Sequence, residues 1–169
     1  RNDDDILIST TVNIDSESRV GLELSMTYNP YKWLQFSGEF NYFSFDQKGS
    51  HEGFNFDFEN NTWSSRLNTR IRLPKQFTLQ TTFNYSARNE NAQTITKPYY
   101  VGDLGLNKPF MKNKAALTFN IRNILNSRER RVLRTGENFS YESNRRVFGP
   151  LYSLTFVYRF NQKETIYLH

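Results

Sequence analysis

The part of the chain richest in groups that can contact a ligand is 134–146, which reads RTGENFSYESNRR. Phe139 and Tyr141 offer ring faces that can stack on a sugar or an aromatic ligand. Arg145 and Arg146 offer guanidinium groups that pair with carboxylates or phosphates. These four residues form our candidate ligand-binding site. The same segment also fits a polar external loop that contacts only its surroundings, and the sequence leaves both interpretations open.

Residues suited to catalysis or metal binding are few. The chain has two histidines, His51 and His169, and no cysteine, so a histidine cluster, a catalytic triad or a thiolate site is not expected. The acidic runs at 3–5 and 57–59 lack the Asp/Asn-and-Gly spacing of a calcium loop. We therefore expect no enzymatic activity, no cofactor and no metal.

The net charge of +5 and the pI near 9.5 raise nucleic acid as a partner. However, the basic residues are spread along the chain, and their densest run, Arg128–Arg131, lies between strand-like segments. No helix-turn-helix or zinc-finger spacing occurs. We expect no nucleic-acid partner.

The dominant pattern in the chain is an alternation of apolar and polar residues with period two, which is typical of β-strands. The last complete segment, LYSLTFVYRF (151–160), places five large side chains on one parity. Eight such segments are predicted, with no linker between them: 6–14, 20–28, 34–42, 63–73, 77–85, 100–110, 115–121 and 151–160.

The connections between these segments also alternate. Tight turns are predicted at 29–32, 73–76 and 111–114, whereas the connections at 46–61, 87–97 and 126–147 are long and polar. In an up-and-down meander every second connection lies at the same end. Short turns at one end and long loops at the other are typical of transmembrane β-barrels. We predict one all-β unit over 1–169, an antiparallel meander of about eight long strands.

The apolar parity has two possible environments, the core of a soluble barrel or the lipid around a membrane barrel. The predicted segments approach the 9–11 residues that a tilted spanning strand needs. The aromatic residues also fall near the strand ends, as in the interfacial girdles of membrane barrels. The pattern predicts two bands. One contains Tyr28, Tyr31, Trp33, Phe110, Tyr158 and Phe160, and the other contains Tyr42, Phe43, Phe45, Trp63, Tyr85, Tyr99 and Tyr100. The pattern favours the membrane barrel.

Two motifs then give the chain a family likeness. Residues 103–110 (DLGLNKPF) and 120–126 (NIRNILN) resemble the C-terminal strands of TonB-dependent outer membrane receptors, most closely the barrel proteins of Bacteroidetes. The likeness extends over 18–161, but the family's plug domain and TonB-contacting segment have no counterpart. The ending Tyr158–Phe160 resembles the aromatic-ended last strand that the outer membrane assembly machinery recognises, so the resemblance gives Tyr158 and Phe160 the role of assembly signal.

The resemblance implies the C-terminal barrel part of a receptor that imports a metal chelate or glycan fragment through the outer membrane of a Gram-negative bacterium. The implied partners are membrane lipid, lipopolysaccharide, the rest of the barrel and plug, TonB through the parent protein, and a surface lipoprotein. Two alternatives stay open: a self-contained eight-stranded outer membrane barrel with a structural or adhesive role, and a soluble ligand-binding barrel.

Overall fold

The fold is built almost entirely of antiparallel strands. A computed structural model describes residues 16–51, 54–136 and 139–160. The strands are β1 (Ser16–Tyr31), β2 (Leu34–Lys48), β3 (Ser50–His51), β4 (Phe54–Asn55), β5 (Phe58–Arg72), β6 (Thr78–Ser86), β7 (Asn89–Glu90), β8 (Thr94–Thr96), β9 (Tyr99–Phe110), β10 (Ala115–Arg122), β11 (Glu129–Gly136), β12 (Phe139–Arg146) and β13 (Leu151–Tyr158).

Seven of these strands form one sheet in the order β1-β2-β5-β6-β9-β10-β13, here called the wall sheet. Every neighbouring pair is antiparallel. The strands coincide with seven of the eight predicted segments, which confirms the predicted meander. The predicted segment 6–14, the acidic run at 3–5 and His169 lie outside the described residues.

The register sorts the side chains of the wall sheet into two faces. Leu24 stands opposite Phe40, Leu67 opposite Phe83, and Phe119 opposite Leu154, so apolar residues of adjacent strands share one face. Leu24 is 54% exposed and Leu154 is 67% exposed. Within the described residues only Ala87, Val101 and Ala115 are buried hydrophobics. The apolar face is therefore continuous, and it is not packed into a core.

The opposite, polar face is joined across the strands by side-chain hydrogen bonds. Arg66 Nε donates to Asn84 Oδ1 at 2.8 Å, and the Arg66 guanidinium lies 3.6 Å from the Glu39 carboxylate. Thr82 Oγ1 donates to Asn68 Oδ1 at 2.9 Å. Asn107 Nδ2 donates to Thr118 Oγ1 at 2.7 Å in the next strand pair. Cross-strand side-chain pairs stabilise a sheet, so these bonds add to the backbone ladder in holding the strands together without an apolar core.

The tight turns at one end of the wall sheet are confirmed. Lys75 and Gln76 have φ values of 58° and 66°, and Met111, Lys112 and Asn113 have values of 53°, 52° and 69°. These left-handed conformations close short connections. One boundary differs, because β1 continues past the predicted stop at Asn29 to Tyr31, with a register irregularity between Tyr28 and Tyr31.

The other end is more ordered than predicted. The segments 87–97 and 126–147, predicted as long polar connections, contain β7, β8, β11 and β12, which form a four-stranded sheet in the order β12-β11-β8-β7. We call this the mouth sheet. The prediction of 126–147 as a loop was wrong because its strands carry charged residues on both faces, which hides the period-two signal. Val132, Leu133 and Thr135 supply the β propensity there.

The aromatic bands are only partly as predicted. Tyr42, Trp63, Tyr85 and Tyr100 form a row across four strands on the apolar face, with the rings of Trp63 and Tyr85 4.6 Å apart. At the short-turn end, Tyr31 stacks on Trp33 at 5.4 Å. The assignment of Phe43, Phe45 and Tyr99 to the same band was wrong, because all three lie on the polar parity. The ring of Phe43 covers Gly21 so closely that a Cβ at this position would overlap the ring.

Two glycines on the apolar face give a matched prediction. A Cβ on Gly102 would lie 3.1 Å from Leu125 Cδ1, whereas a Cβ on Gly38 would meet no atom within 4 Å. We expect Gly102→Val to cost ~1–2 kcal/mol by overpacking against the 123–127 turn. We expect Gly38→Val to be neutral or slightly stabilising, because valine favours a strand. Thermal unfolding of both variants in detergent checks this, and equal losses of stability would contradict the predicted difference.

Candidate ligand-contact site

The mouth sheet lies on the polar side of the wall sheet. Asn60 Nδ2 donates to the Glu90 carbonyl at 2.9 Å, and Thr62 Oγ1 donates to the Arg88 carbonyl at 3.0 Å. Asn60 and Thr62 are polar-face residues of β5. The chain after β6 therefore bends across the polar face, and it brings β7 and then β8, β11 and β12 with it.

One face of the mouth sheet looks toward the wall. A cavity of about 170 Å³ lies between the two sheets. Its lining consists of Glu17, Arg19, Phe45 and Gln47 of the wall sheet and of Asn89, Glu90, Asn91, Thr94 and Thr96 from β7 to β8. Thr96 is paired with Val132, and Thr94 with Arg134. The residues that share this side by alternation and pairing define the inward face: Thr94, Thr96, Arg130, Val132, Arg134, Phe139, Tyr141, Ser143 and Arg145.

Strands β11 and β12 form a hairpin, and the reverse face of this hairpin, opposite the inward face, is held by ion pairs. Glu129 Oε1 accepts from Arg131 Nε at 2.7 Å and from Asn144 Nδ2 at 2.8 Å. Lys97 Nζ lies 3.5 Å from a Glu142 oxygen. These contacts join β8, β11 and β12. The hydrogen bond from Arg131, followed by that from Asn144, lowers the pKa of the Glu129 carboxyl below its usual value.

The structure separates the four predicted ligand-binding residues. Phe139, Tyr141 and Arg145 lie on the inward face, whereas Arg146 lies on the reverse face with its guanidinium 5.2 Å from the Phe148 ring centroid. The Phe139 ring also covers Gly136 across the hairpin, so one side of it is used within the fold. The structure therefore does not bring Arg146 together with the other three, because adjacent strand residues point to opposite faces.

Two inward-face residues were missed by the sequence analysis. Arg130 stands directly opposite Arg145, and Arg134 stands directly opposite Tyr141. Once 126–147 is recognised as a hairpin, the alternation of side chains along 130–134 places Arg130 and Arg134 on the same face. The charge run at 128–131 contains one of them, but without the hairpin its arginines cannot be assigned to a face.

The predicted assembly residues lie at the short-turn end of the last strand. Tyr158 is paired with Ala115, and its ring meets that of Phe160 edge-on at 4.6 Å. Strand β13 ends at Tyr158 rather than at the predicted Phe160. The intervening Arg159 ties this end to the 111–114 turn through its N–H, which donates to the Lys114 carbonyl at 2.8 Å.

The mouth sheet is anchored to the wall by Asn123, which is 1% exposed. Its Oδ1 accepts from the Ser127 and Arg128 N–H groups at 2.9 Å each, and its Nδ2 donates to the Val147 and Gly149 carbonyls at 3.2 Å each. Its own N–H donates to the Asp103 carboxylate at 2.8 Å. The two motifs DLGLNKPF and NIRNILN are therefore in direct contact, and Asn123 holds both ends of the β11–β12 hairpin.

Other kinds of site find little support in the part of the chain that the structure describes. No group of three or more His, Asp or Glu side chains there is arranged to hold a metal ion. The side chain of His51 is not among those described. In the same ranges no helix has the length and apolar character needed to cross a membrane.

The lowered pKa of Glu129 gives a prediction for the hairpin. A carboxyl with a lowered pKa in the folded state contributes stability above its unfolded pKa, and that contribution is lost as the pH falls through the folded pKa. We expect a carbon-detected NMR titration to place Glu129 below the ordinary glutamate value of 4.5. In Arg131→Gln its pKa should rise toward that value. An unchanged titration in this variant would show that the contact is not maintained in solution.

Comparisons with known proteins agree with this architecture. No curated protein and no solved structure matches the chain. A family model described as the outer membrane protein beta-barrel family matches residues 1–158. Membership in that family assigns the apolar face of the wall sheet to lipid and the chain to the outer membrane. The chain belongs to the outer membrane protein beta-barrel family.

Proposed function

We propose that this chain is the wall and mouth of a TonB-dependent outer membrane receptor that imports a nutrient, either a metal chelate or a glycan fragment. The resemblance of 103–110 and 120–126 to such receptors supports the proposal. In the parent protein, a plug domain would lie against the polar face, TonB would supply energy, and a surface lipoprotein and lipopolysaccharide would contact the mouth. The matched family is not generally an enzyme family, and we propose no catalytic role.

The observation that carries the proposal is the position of the mouth sheet. An adhesive barrel would display its loop residues outward, whereas here Tyr141 and Arg145 share, by strand pairing and alternation, the sheet face on which Thr94 and Thr96 border the polar side of the wall. Arg66 and Glu39 on that side are 53% and 50% exposed. A ligand that enters at the mouth therefore passes from charged and aromatic groups on one sheet to a polar surface on the other.

The test is energised uptake in the native bacterium. Cells with the gene intact, deleted, or intact with TonB disrupted are compared for growth on, and accumulation of, iron chelates and glycan fragments as sole sources. We expect deletion to abolish accumulation of one nutrient, and TonB disruption to abolish accumulation while surface binding persists. Normal accumulation of every nutrient in the deletion strain, or accumulation without TonB, would overturn the proposal.

A further inference from the structure

The two faces of the β11–β12 hairpin differ in charge balance. The reverse face carries Glu129 and Glu142, each paired with a basic side chain. The inward face of the hairpin carries Arg130, Arg134 and Arg145 and, among its described residues, no carboxylate. None of these three side chains has an ion pair or hydrogen bond to another residue in the ranges the structure describes. The two carboxylates that line the neighbouring cavity, Glu17 and Glu90, are paired with Arg19 and Arg88. The inward face therefore carries three guanidinium groups without a neutralising partner.

The arrangement of these arginines is unfavourable without a partner. Arg130 and Arg145 are directly opposite in the antiparallel register, where facing Cβ atoms are about 4.5–5.5 Å apart. Like charges in this position destabilise a strand pair. A carboxylate or phosphate between two guanidinium groups turns this repulsion into charge-assisted, bidentate hydrogen bonds. The register thus creates a position whose natural occupant is an anion.

A ring surface adjoins this position. Tyr141 is two residues from Ser143 and four from Arg145 on the same face, stands opposite Arg134, and is 53% exposed. Aromatic side chains stack on the flat faces of sugars and rings, and an arginine beside the ring can hold a group attached to the stacked ligand. Arg134 and Tyr141 can therefore contact a neighbouring part of a ligand whose anionic group lies at Arg130 and Arg145.

We propose that the inward face of the mouth sheet binds a small soluble ligand that carries a carboxylate or phosphate beside a flat ring face. This inference rests on the proposed import function and names the substrate class for it. Lipopolysaccharide phosphates share the anionic chemistry. A soluble ligand is favoured because the β8 residues of the inward face, Thr94 and Thr96, border the polar side of the wall, away from the apolar face that meets lipid.

The experiment uses the full-length protein, purified in detergent and titrated with citrate as the carboxylate probe and pyrophosphate as the phosphate probe. Arg145→Gln and Arg146→Gln form a matched pair, because they remove the same charge from adjacent residues on opposite faces. We expect Arg145→Gln to weaken binding of at least one probe about tenfold, and Arg146→Gln to change it less than about twofold. Arg130→Gln should behave like Arg145→Gln.

A purely structural role for Arg145 is excluded by a second readout. Because Arg145→Gln removes a like-charge repulsion, hydrogen exchange of the ligand-free β11–β12 hairpin should be unchanged or slower, even though anion affinity falls. Faster exchange in this variant, equal effects of Arg145→Gln and Arg146→Gln, or no measurable binding of either probe to the unmodified protein would overturn the site.

Two further arms separate the sources of the anion and the two proposals. Added lipopolysaccharide should leave probe binding unchanged, and its binding in place of both soluble probes would overturn the assignment to a soluble ligand. If the protein binds an anion probe but its deletion leaves nutrient accumulation normal, the import proposal is contradicted and the anion site is supported. If deletion abolishes nutrient accumulation but the protein binds neither anion probe, the anion site is contradicted and the import proposal is supported.

Discussion

Replacing Leu24 with arginine is expected to destabilise the folded protein in a bilayer by ~2–4 kcal/mol, because an arginine on the lipid face at mid-depth is costly. Leu24 lies near the middle of the β1 segment between Val20 and Tyr28, and its side chain is on the apolar face. The matched control is Ser25→Arg. Ser25 is the next residue on the same strand, lies on the polar face and stands directly opposite Glu39, so its arginine gains a partner and should cost less than about 1 kcal/mol.

Urea unfolding in lipid vesicles, followed by heat-modifiable migration on gels, measures both variants. The difference between the two losses of stability depends only on the face that carries the arginine, because the strand, the depth and the added side chain are the same. If Ser25→Arg proves as damaging as Leu24→Arg, or more damaging, the apolar face does not meet lipid. The soluble-barrel alternative predicts the same order, because there the apolar face would be the core and a buried arginine is also costly. That alternative is distinguished by folding without lipid or detergent, which a lipid-facing apolar surface does not allow.

Asn123→Ala is expected to have the second large effect, a loss of ~3 kcal/mol. The change leaves two N–H groups and two carbonyls without their partner, and a buried polar group without a hydrogen bond costs about 1–3 kcal/mol. Asn123 also has a φ of 56°, a conformation that costs alanine roughly 1–2 kcal/mol. Some of the freed groups will find water, which keeps the total below the simple sum.

Two variants separate these causes. Asn123→Gly removes the hydrogen bonds but accepts the positive φ, so it should be less damaging than alanine while still clearly destabilising. Asn126→Ala removes a single hydrogen bond, from the Gly149 N–H, at an exposed residue with a φ of 50°. It should cost about 2 kcal/mol, roughly half from the hydrogen bond and half from the positive φ. Hydrogen exchange across β11 and β12 should rise sharply in the two Asn123 variants alone. A stable hairpin in Asn123→Ala would contradict the anchoring role.

The wall sheet was predictable because its signal is local and strong. Each wall strand has one mainly apolar face and one mainly polar face, and a register error of one residue would move the whole apolar set. The tight turns carry Pro, Lys and Asn residues that suit short connections. Phe43 and Phe45 were misassigned because they were placed in the aromatic band by their position along the strand, without regard to the face on which their side chains lie. A ring on the polar face is unexpected from the sequence, and for Phe43 it is explained by Gly21 on the neighbouring strand, which leaves room for the ring.

The mouth sheet and the candidate site were less predictable because they depend on contacts between distant segments. Strand β8 pairs with β11, about forty residues later, as Leu133 meets Ile95, and nothing local in either segment specifies that pairing. The role of Asn123 likewise needs the carbonyls of Val147 and Gly149 beside it. The residue types around 134–146 did indicate groups that bind anions and rings. Only the strand register shows that Arg130 and Arg134, and not Arg146, share a face with Tyr141 and Arg145.

The assignment of the apolar face of the wall sheet to lipid is tested most directly by lipid quenching along β5. The chain contains no cysteine, so single cysteines introduced from 63 to 71 in the full-length protein can each carry a bimane fluorophore in vesicles that contain brominated lipid. The structure predicts strong quenching at 63, 65, 67, 69 and 71 and weak quenching at 64, 66, 68 and 70. Uniform quenching, or strong quenching at the even positions, would contradict the assignment of the apolar face to lipid.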